Sequence, residues 1–244
     1  MNGIALAQLL LAYLLGSIPS AWLAGKWVKG IDIREHGSGN MGATNVFRVL
    51  GPGPGVAVLL ADVAKGAAAV LLLPMLASPG AFDWLRSSPT LASSAWWPCL
   101  LGLAAVLGHT YTVFLGFKGG KGVATSLGVF LGLAPLATLV VVAVFGVIFW
   151  ATRMVSAGSL AASAILPSAV VLFKEWRPWG YKEAFYVGFD NYREESWQAR
   201  PVLCLAMVLA ILVWLKHVPN IKRILAGTEN RIGRGNKARA GRPQ

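Results

Sequence analysis

Long apolar runs separated by short polar segments fill most of the sequence. Apolar stretches of about 20 residues are typical of helices that cross a lipid bilayer. The pattern therefore predicts an all-α fold, a polytopic membrane helix bundle with about seven transmembrane helices. The predicted spans cover residues 4–23, 53–76, 96–115, 123–133, 136–151, 157–173 and 202–215.

The placement of basic residues predicts how the bundle is oriented. The runs 123–133 and 136–151 flank Pro135, so they form either one kinked helix or a tight helical hairpin. With the hairpin, the basic segments 26–48 and 118–121 and the basic tail share one side, as the positive-inside rule requires. The first run has basic residues only after it. It is predicted to be an uncleaved span, with the amino terminus outside and the carboxy terminus in the cytoplasm.

Composition supports the membrane assignment and adds a basic tail. Hydrophobic residues make up 56% of the chain and charged residues 13%, against roughly 25% charged in an ordinary soluble domain. The net charge is +12, and eight Lys or Arg residues but one acid, Glu229, lie between Lys216 and the last residue. Topology explains this basicity without a nucleic-acid partner. Residues 1–230 are predicted to form one membrane-embedded domain, and 231–244 a disordered cytoplasmic tail near anionic membrane lipid.

The first polar segment, residues 37–48, has the composition of an anion-binding loop. Its glycines allow sharp turns that bring several backbone N–H groups onto one point. Neutral polar side chains add donors, and Arg48 adds a planar fork suited to phosphate. A plain turn between spans has a similar composition, so the segment alone does not decide. The candidate binding residues are Gly37, Ser38, Gly39, Asn40, Gly42, Thr44, Asn45 and Arg48.

The second polar segment, residues 117–125, opens directly onto a predicted helix. Lysines, glycines and a helix amino terminus together form a suitable phosphate site. The spacing is not that of a Walker A loop, because Gly122 follows Lys121 where Ser or Thr belongs. ATP hydrolysis is therefore not indicated, and a pair of lysines that only sets topology is the alternative. The candidate binding residues are Lys118, Gly119, Gly120 and Lys121.

The third polar segment, residues 216–229, follows the last predicted span. His217 could act as a base, a hydrogen-bond donor or a structural capping group, and Asn220 lies three residues further on. Ser156, at the inner start of another span, is a further candidate for substrate binding. The His and Cys residues are scattered, so the sequence predicts no metal site and no cofactor.

Charged residues inside the predicted spans need partners. Asp62 and Lys65 are three residues apart on one helix face, so they can form an ion pair. Isolated charges at a helix centre cost about 2.5–3.5 kcal/mol each on insertion scales, which favours a structural role for this pair. His109 is predicted to form a hydrogen bond within the bundle.

Five segments in this order resemble the acyl-phosphate-dependent glycerol-3-phosphate acyltransferases of bacterial membranes. They read GSGNMGATNVFR, LADVAKG, GHTYTVFLGFKGGKGVAT, TRMVSAGS and KHVPNIKRILAGTE and span most of the chain. The sequence departs from the family pattern at Met41, Thr112 and Lys216, and the 174–200 loop is longer than the family needs. The positions that correspond to the family's functional residues are Ser38, Arg48, Lys118, Ser156, His217 and Asn220. By this resemblance Ser156 is expected to bind substrate and the other five are expected to be catalytic.

This resemblance implies a helical enzyme in the bacterial plasma membrane, with its active site on the cytoplasmic side. It would transfer a fatty acyl group from acyl phosphate to the 1-hydroxyl of glycerol 3-phosphate. The products would be 1-acylglycerol 3-phosphate (lysophosphatidate) and inorganic phosphate, in the first step of phospholipid synthesis. The resemblance also implies a functional link to an enzyme that forms acyl phosphate.

Two mechanisms remain open at the level of sequence. No His is followed by an Asp five positions later, so the His–Asp pair of other glycerolipid acyltransferases is absent. Either His217 is the general base, or an oxygen of the acyl phosphate takes the proton while His217 and Asn220 orient the hydroxyl. A transporter of an organic phosphate and a non-catalytic membrane scaffold are the alternatives from other functional classes.

Overall fold

Helices account for the regular structure of the part of the chain that the computed structural model describes, residues 3–74, 96–173 and 199–232. Short 3₁₀ turns at Ile33–Glu35 and Val113–Leu115 lie between them. The helices are α1 Gly3–Ser17, α2 Ser20–Lys29, α3 Ala43–Leu50, α4 Pro52–Leu71, α5 Trp96–Thr110, α6 Val123–Leu133, α7 Pro135–Thr152, α8 Val155–Leu172, α9 Ala199–Lys216 and α10 Val218–Leu225.

Several of these helices are long and apolar enough to cross a membrane. Five segments in the described ranges meet that test, and a sixth does if α9 and the bent α10 count as one span. This confirms the predicted multi-pass helical bundle. With 11 residues, α6 is about 16 Å long, shorter than a hydrocarbon core of roughly 30 Å. The count of seven spans and the orientation of the termini stay predictions, and most of the 174–200 loop and of the tail lies outside the described residues.

The predicted first span over 4–23 is one candidate membrane-crossing segment in the structure, but it is longer than predicted and its helix is interrupted. The chain breaks at Ile18 and Pro19, and the apolar segment continues through α2 to Lys29. A helix break at membrane depth frees backbone carbonyls, which need partners inside the protein. Thr112 Oγ1 donates to the carbonyl oxygen of Ser17 at 2.6 Å, and Lys65 Nζ donates to that of Ile18 at 3.0 Å. Because these partners are distant in sequence, the break was not visible in the local pattern.

Close helix contacts at glycines hold the bundle together. A Cβ at Gly66 of α4 would overlap the carbonyl of Thr125 on α6, and one at Gly128 of α6 would overlap that of Val63. Between α1 and α5, Gly16 lies against Ala105 in the same way. Small residues let helix backbones approach closely in a membrane, where packing replaces the hydrophobic effect.

The segment around Pro135 forms two helices, so it is not one continuous kinked helix. Ala134, at φ −150° and ψ 68°, is not helical and separates them, and Pro135 begins α7 at the position where a missing N–H costs nothing. After α7, Arg153 accepts a hydrogen bond from the backbone N–H of Ile232 at 2.9 Å. The α7–α8 turn therefore lies beside the segment that follows α10.

Candidate active site

The first polar segment is partly helical, which corrects the prediction of a loop over residues 37–48. Only residues 37–42 form the loop, with Gly37 and Gly39 at φ +64° and +69°, and α3 begins at Ala43. Left-handed backbone of this kind favours glycine. The other predicted binding residues of the segment lie in the loop or on α3: Ser38, Asn40, Gly42, Thr44, Asn45 and Arg48.

Asn45 shapes this loop, whereas the sequence suggested that it donates to phosphate. Its side chain is 1% exposed. Nδ2 donates to the carbonyls of Ile33 and His36 at 3.1 and 3.0 Å, and Oδ1 accepts from the backbone N–H of Ser38 at 2.8 Å. With both donors and the acceptor used inside the protein, Asn45 acts on a ligand only through the loop that it holds.

The second polar segment is anchored to the last turn of α5. The backbone N–H groups of Gly119 and Gly120 donate to the carbonyls of Thr110 and His109 at 3.1 and 3.0 Å. Phe117, next to Lys118, has φ +61°, a conformation that costs energy for any residue with a side chain and that clusters at functional sites. The loop leads into the amino terminus of α6, whose free N–H groups favour an anion.

The third polar segment contacts the second through a lysine and an amide. Lys121 Nζ donates to Asn220 Oδ1. Burial lowers the pKa of Lys121 to about 8, while the nearby Glu229 opposes this shift. Asn220 is buried at 7% exposure on the first turn of α10, which is bent by 59° from α9. The Lys121 ammonium is therefore held in place by a buried amide at the bend between α9 and α10.

Glu229 joins the α7–α8 turn to α10 and was missed as a site residue. Its Oε1 accepts hydrogen bonds from Ser156 Oγ at 2.8 Å and from Asn220 Nδ2 at 2.7 Å, and its Oε2 accepts from Arg223 Nε at 2.7 Å. Burial raises the pKa of the Glu229 carboxyl, but these hydrogen bonds outweigh it, so the net shift is downward. The signal was present in the sequence, since Glu229 is the single acid after Lys216.

His217 lies at the bend between α9 and α10, 3% exposed. Its Nδ1 lies 2.7 Å from the carbonyl oxygen of Val213. Because a carbonyl can only accept, Nδ1 carries the hydrogen and Nε2 of the neutral ring has the lone pair. Burial, with a further contribution from the charge of Lys121, lowers the pKa of His217 to about 4. The ring is therefore neutral at pH 7.

The polar segments converge at one end of the bundle. A Cβ at Gly120 would lie 2.5 Å from the carbonyl oxygen of Met41, so the first two segments touch. Lys121 joins the second segment to the third, and Ser156 joins the α7–α8 turn to Glu229. The side chains of Ser38, Arg48 and Lys118 are exposed on these segments. In the described ranges, no group of three His, Cys, Asp or Glu residues has the geometry to hold a metal ion.

The fold defines an integral membrane protein in which basic, glycine-rich segments meet at one end of a helical bundle. The family model described as glycerol-3-phosphate acyltransferase matches residues 6–227. A glycerol-3-phosphate acyltransferase of Chlorobaculum tepidum is 42% identical over 95% of this chain and 98% of its own length. One of Geobacter sulfurreducens is also 42% identical, over 91% of this chain and 94% of its own length.

Solved structures agree with the sequence relatives. The crystal structure of PlsY (YgiH), an integral membrane glycerol 3-phosphate acyltransferase, in its glycerol 3-phosphate form has a TM-score of 0.70 and 37% identity, covering 95% of this chain and 96% of that one. Its lysophosphatidic acid form has a TM-score of 0.68 and 36% identity over the same shares. The chain belongs to the glycerol-3-phosphate acyltransferase family and is an acyltransferase.

The hydrogen bonds of Glu229 predict that its side chain contributes to the thermal stability of the protein, whether or not it takes part in catalysis. We expect Glu229→Gln to lower the thermal midpoint in detergent by about 3 °C or more, because it removes the charge that pairs with Arg223. Differential scanning fluorimetry measures this, with the exposed neighbour Lys222→Ala as the matched control. An unchanged midpoint in Glu229→Gln would show that the carboxylate does not hold the segments together.

Proposed function

We propose that this protein transfers a fatty acyl group from acyl phosphate to the 1-hydroxyl of glycerol 3-phosphate, giving lysophosphatidate and inorganic phosphate. The reaction would take place at the cytoplasmic face of the bacterial plasma membrane and open phospholipid synthesis. The observation that carries the proposal is the meeting of two glycine-rich cationic segments with the His217–Asn220–Glu229 cluster at one end of the bundle.

The two substrates explain why the site has two anion-binding segments. Both carry phosphate, and two phosphates side by side require separate cradles and several cations. The first segment offers Ser38, backbone N–H groups and Arg48, whose planar guanidinium binds phosphate with two parallel hydrogen bonds. The second offers Lys118, Lys121 and the amino terminus of α6. The glycerol 3-phosphate and lysophosphatidic acid forms of the related crystal structures support both an anionic substrate and a lipid product in this family.

The membrane setting suits the acyl donor. An acyl chain is apolar and can lie between helices in the bilayer while its phosphate stays at the surface. Acyl phosphate is already activated, because phosphate is a good leaving group, so the protein mainly positions the hydroxyl and stabilises developing negative charge. An enzyme that makes acyl phosphate would then be the functional partner that supplies the substrate.

The state of His217 supports orientation over general-base catalysis. In the transfer, the 1-hydroxyl oxygen attacks the acyl carbon, the bond from that carbon to the phosphate oxygen breaks, and the hydroxyl proton must leave. A base with a pKa of about 4 accepts a proton poorly at pH 7, whereas phosphate groups are more basic, with a second pKa of roughly 6 in a phosphate monoester. The departing phosphate therefore takes the proton, while Nε2 of His217 accepts the hydrogen bond that aligns the hydroxyl.

A transporter of an organic phosphate is the second candidate, because it too would need basic glycine-rich sites. Transporters commonly bind their substrate near the bilayer midplane, between related halves. Here the candidate phosphate-binding groups lie in segments that follow helix ends and contact one another. This arrangement favours a surface reaction over transport.

The experiment uses pure protein in detergent with palmitoyl phosphate and glycerol 3-phosphate, and with palmitoyl-CoA as the control donor. We expect lysophosphatidate and phosphate in equal amounts from palmitoyl phosphate and no product from palmitoyl-CoA. Transfer from palmitoyl-CoA at a similar rate would contradict the proposed donor. Absence of product from either donor, with uptake of glycerol 3-phosphate into proteoliposomes, would support the transporter instead.

A further inference from the structure

A buried polar cluster lies beneath the two glycine-rich loops. At its centre is Asp62 of α4, 1% exposed. Asp62 Oδ1 accepts hydrogen bonds from Ser20 Oγ at 3.0 Å and from Lys65 Nζ at 2.8 Å, which confirms the predicted Asp62–Lys65 pair. His109 of α5 is 8% exposed, and its Nδ1 lies 3.5 Å from the same oxygen. Ionisable groups inside a membrane bundle are costly and usually functional.

Lys65 has a structural task that His109 lacks. Lys65 also donates to the carbonyl of Ile18, which the break between α1 and α2 leaves free. The other ring nitrogen of His109, Nε2, faces the loops instead. It lies so close to Gly120 that a Cβ on this glycine would overlap it, and the same Cβ would lie 2.5 Å from the carbonyl oxygen of Met41. The imidazole thus lies where the first and second polar segments meet.

The backbone couples this ring to the second loop. The N–H of Gly120 donates to the carbonyl of His109 itself at 3.0 Å, so the loop is bound to the residue that carries the imidazole. His109, Met41 and Gly120 line one small cavity together with Ser20 and its neighbours at the break between α1 and α2. A movement of the ring would therefore change the distance between Gly120 and Met41.

We propose that His109 is a positioning residue which, held by Asp62, sets the distance between the two anion-binding loops. This inference rests on the proposed function, because that distance matters only if the loops hold the two substrates that react. Each loop keeps its own phosphate-binding groups without His109. What changes is the alignment of hydroxyl and acyl carbon, and a misplacement of about 1 Å can cost roughly 100-fold in rate.

The experiment compares His109→Ala, His109→Gln and the control Gln8→Leu in steady-state assays with palmitoyl phosphate and glycerol 3-phosphate. Gln8 is also buried, and it forms hydrogen bonds with Trp97 and with the Leu73 carbonyl at the opposite end of the bundle. We expect His109→Ala to lower kcat about 30- to 100-fold, with both KM values within about threefold of the wild type. His109→Gln keeps a polar side chain of similar reach and should lower kcat only about three- to tenfold. Gln8→Leu should lower the thermal midpoint but keep kcat within about twofold.

Four results would overturn the positioning role. The first is a kcat of His109→Ala within about threefold of the wild type, and the second is a rise in KM of this variant at unchanged kcat, which would make His109 a direct ligand. The third is a loss of kcat in Gln8→Leu equal to that in His109→Ala, and the fourth is a fully active His109→Gln. If His109→Ala does not fold, His109→Gln decides alone, provided that its thermal midpoint is unchanged. Failure of the proposed function is distinguishable, since the wild-type protein would then give no transfer at all.

Discussion

Replacement of Arg48 by Ala is expected to lower kcat/KM for acyl transfer by about 10²- to 10³-fold. Arg48 is exposed at the end of α3, next to the loop that Asn45 shapes. Its guanidinium is the planar donor of the first segment, and its loss removes two charge-assisted hydrogen bonds at a developing negative charge. Arg48→Lys keeps the charge but not the fork, so it should recover only part of the loss. Initial rates with varied glycerol 3-phosphate and palmitoyl phosphate measure the effect.

Arg34→Ala is the matched control for this prediction. Arg34 is an arginine of the same connecting segment, but its guanidinium is already bound to Asp32, with Nη2 to Oδ2 at 2.7 Å. This pair holds the pKa of Asp32 well below its usual range. Exposed pairs contribute little to stability, so Arg34→Ala should keep kcat/KM within about threefold of the wild type. Equal losses in the two variants would mean that general positive charge, and not a site at Arg48, attracts the substrates.

His217 variants are expected to separate orientation from base catalysis. His217→Ala removes the group that aligns the hydroxyl and should lower kcat about 10²- to 10³-fold. His217→Gln offers an amide oxygen in place of Nε2 and should lower kcat only about tenfold or less. A general base has no such substitute, since an amide cannot take the proton. If His217→Gln is as inactive as His217→Ala, the base role is supported and the substrate-assisted mechanism fails.

The pH dependence gives a second test of the same point. The ratio of wild-type kcat to His217→Gln kcat should be constant from about pH 5 to 8, because a group of pKa about 4 does not titrate in that range. Titration of the substrate phosphates cancels in this ratio. The free energy of unfolding, unlike this ratio, should change with pH. The contribution of the neutral His217 ring is fully present above the unfolded pKa of 6.5 and is lost as the pH falls toward 4, because in that range only the unfolded chain binds the proton. A ratio that falls below pH 6.5 would show that the proton passes through His217.

The bundle was largely predictable from the sequence because span-forming helices are a local property of apolar runs. The helices α4 to α9 lie close to the predicted runs, with ends that differ by a few residues. The break at Pro19 was not predictable in the same way, since it depends on Thr112 and Lys65 to satisfy the freed carbonyls. Those contacts join residues that are 95 and 47 positions apart, and no local pattern encodes them.

The candidate site was predictable as a set of segments but not as a set of contacts. Composition and order identified the residues that could bind phosphate. They did not show that Asn45 is used within its own loop, or that Glu229 joins Ser156, Asn220 and Arg223. Both facts follow from which polar atoms are buried together, and burial of this kind is decided only when the helices pack.

The proposed reaction requires that both phosphoanions are bound at the same time, each by its own segment. The most direct measurement is a matrix of initial rates in which palmitoyl phosphate and glycerol 3-phosphate are both varied, together with phosphate release in the absence of glycerol 3-phosphate. Simultaneous binding predicts intersecting double-reciprocal lines and no burst of phosphate without the acceptor. Parallel lines and a stoichiometric burst would indicate a covalent acyl-enzyme that holds one phosphoanion at a time, and would contradict this account.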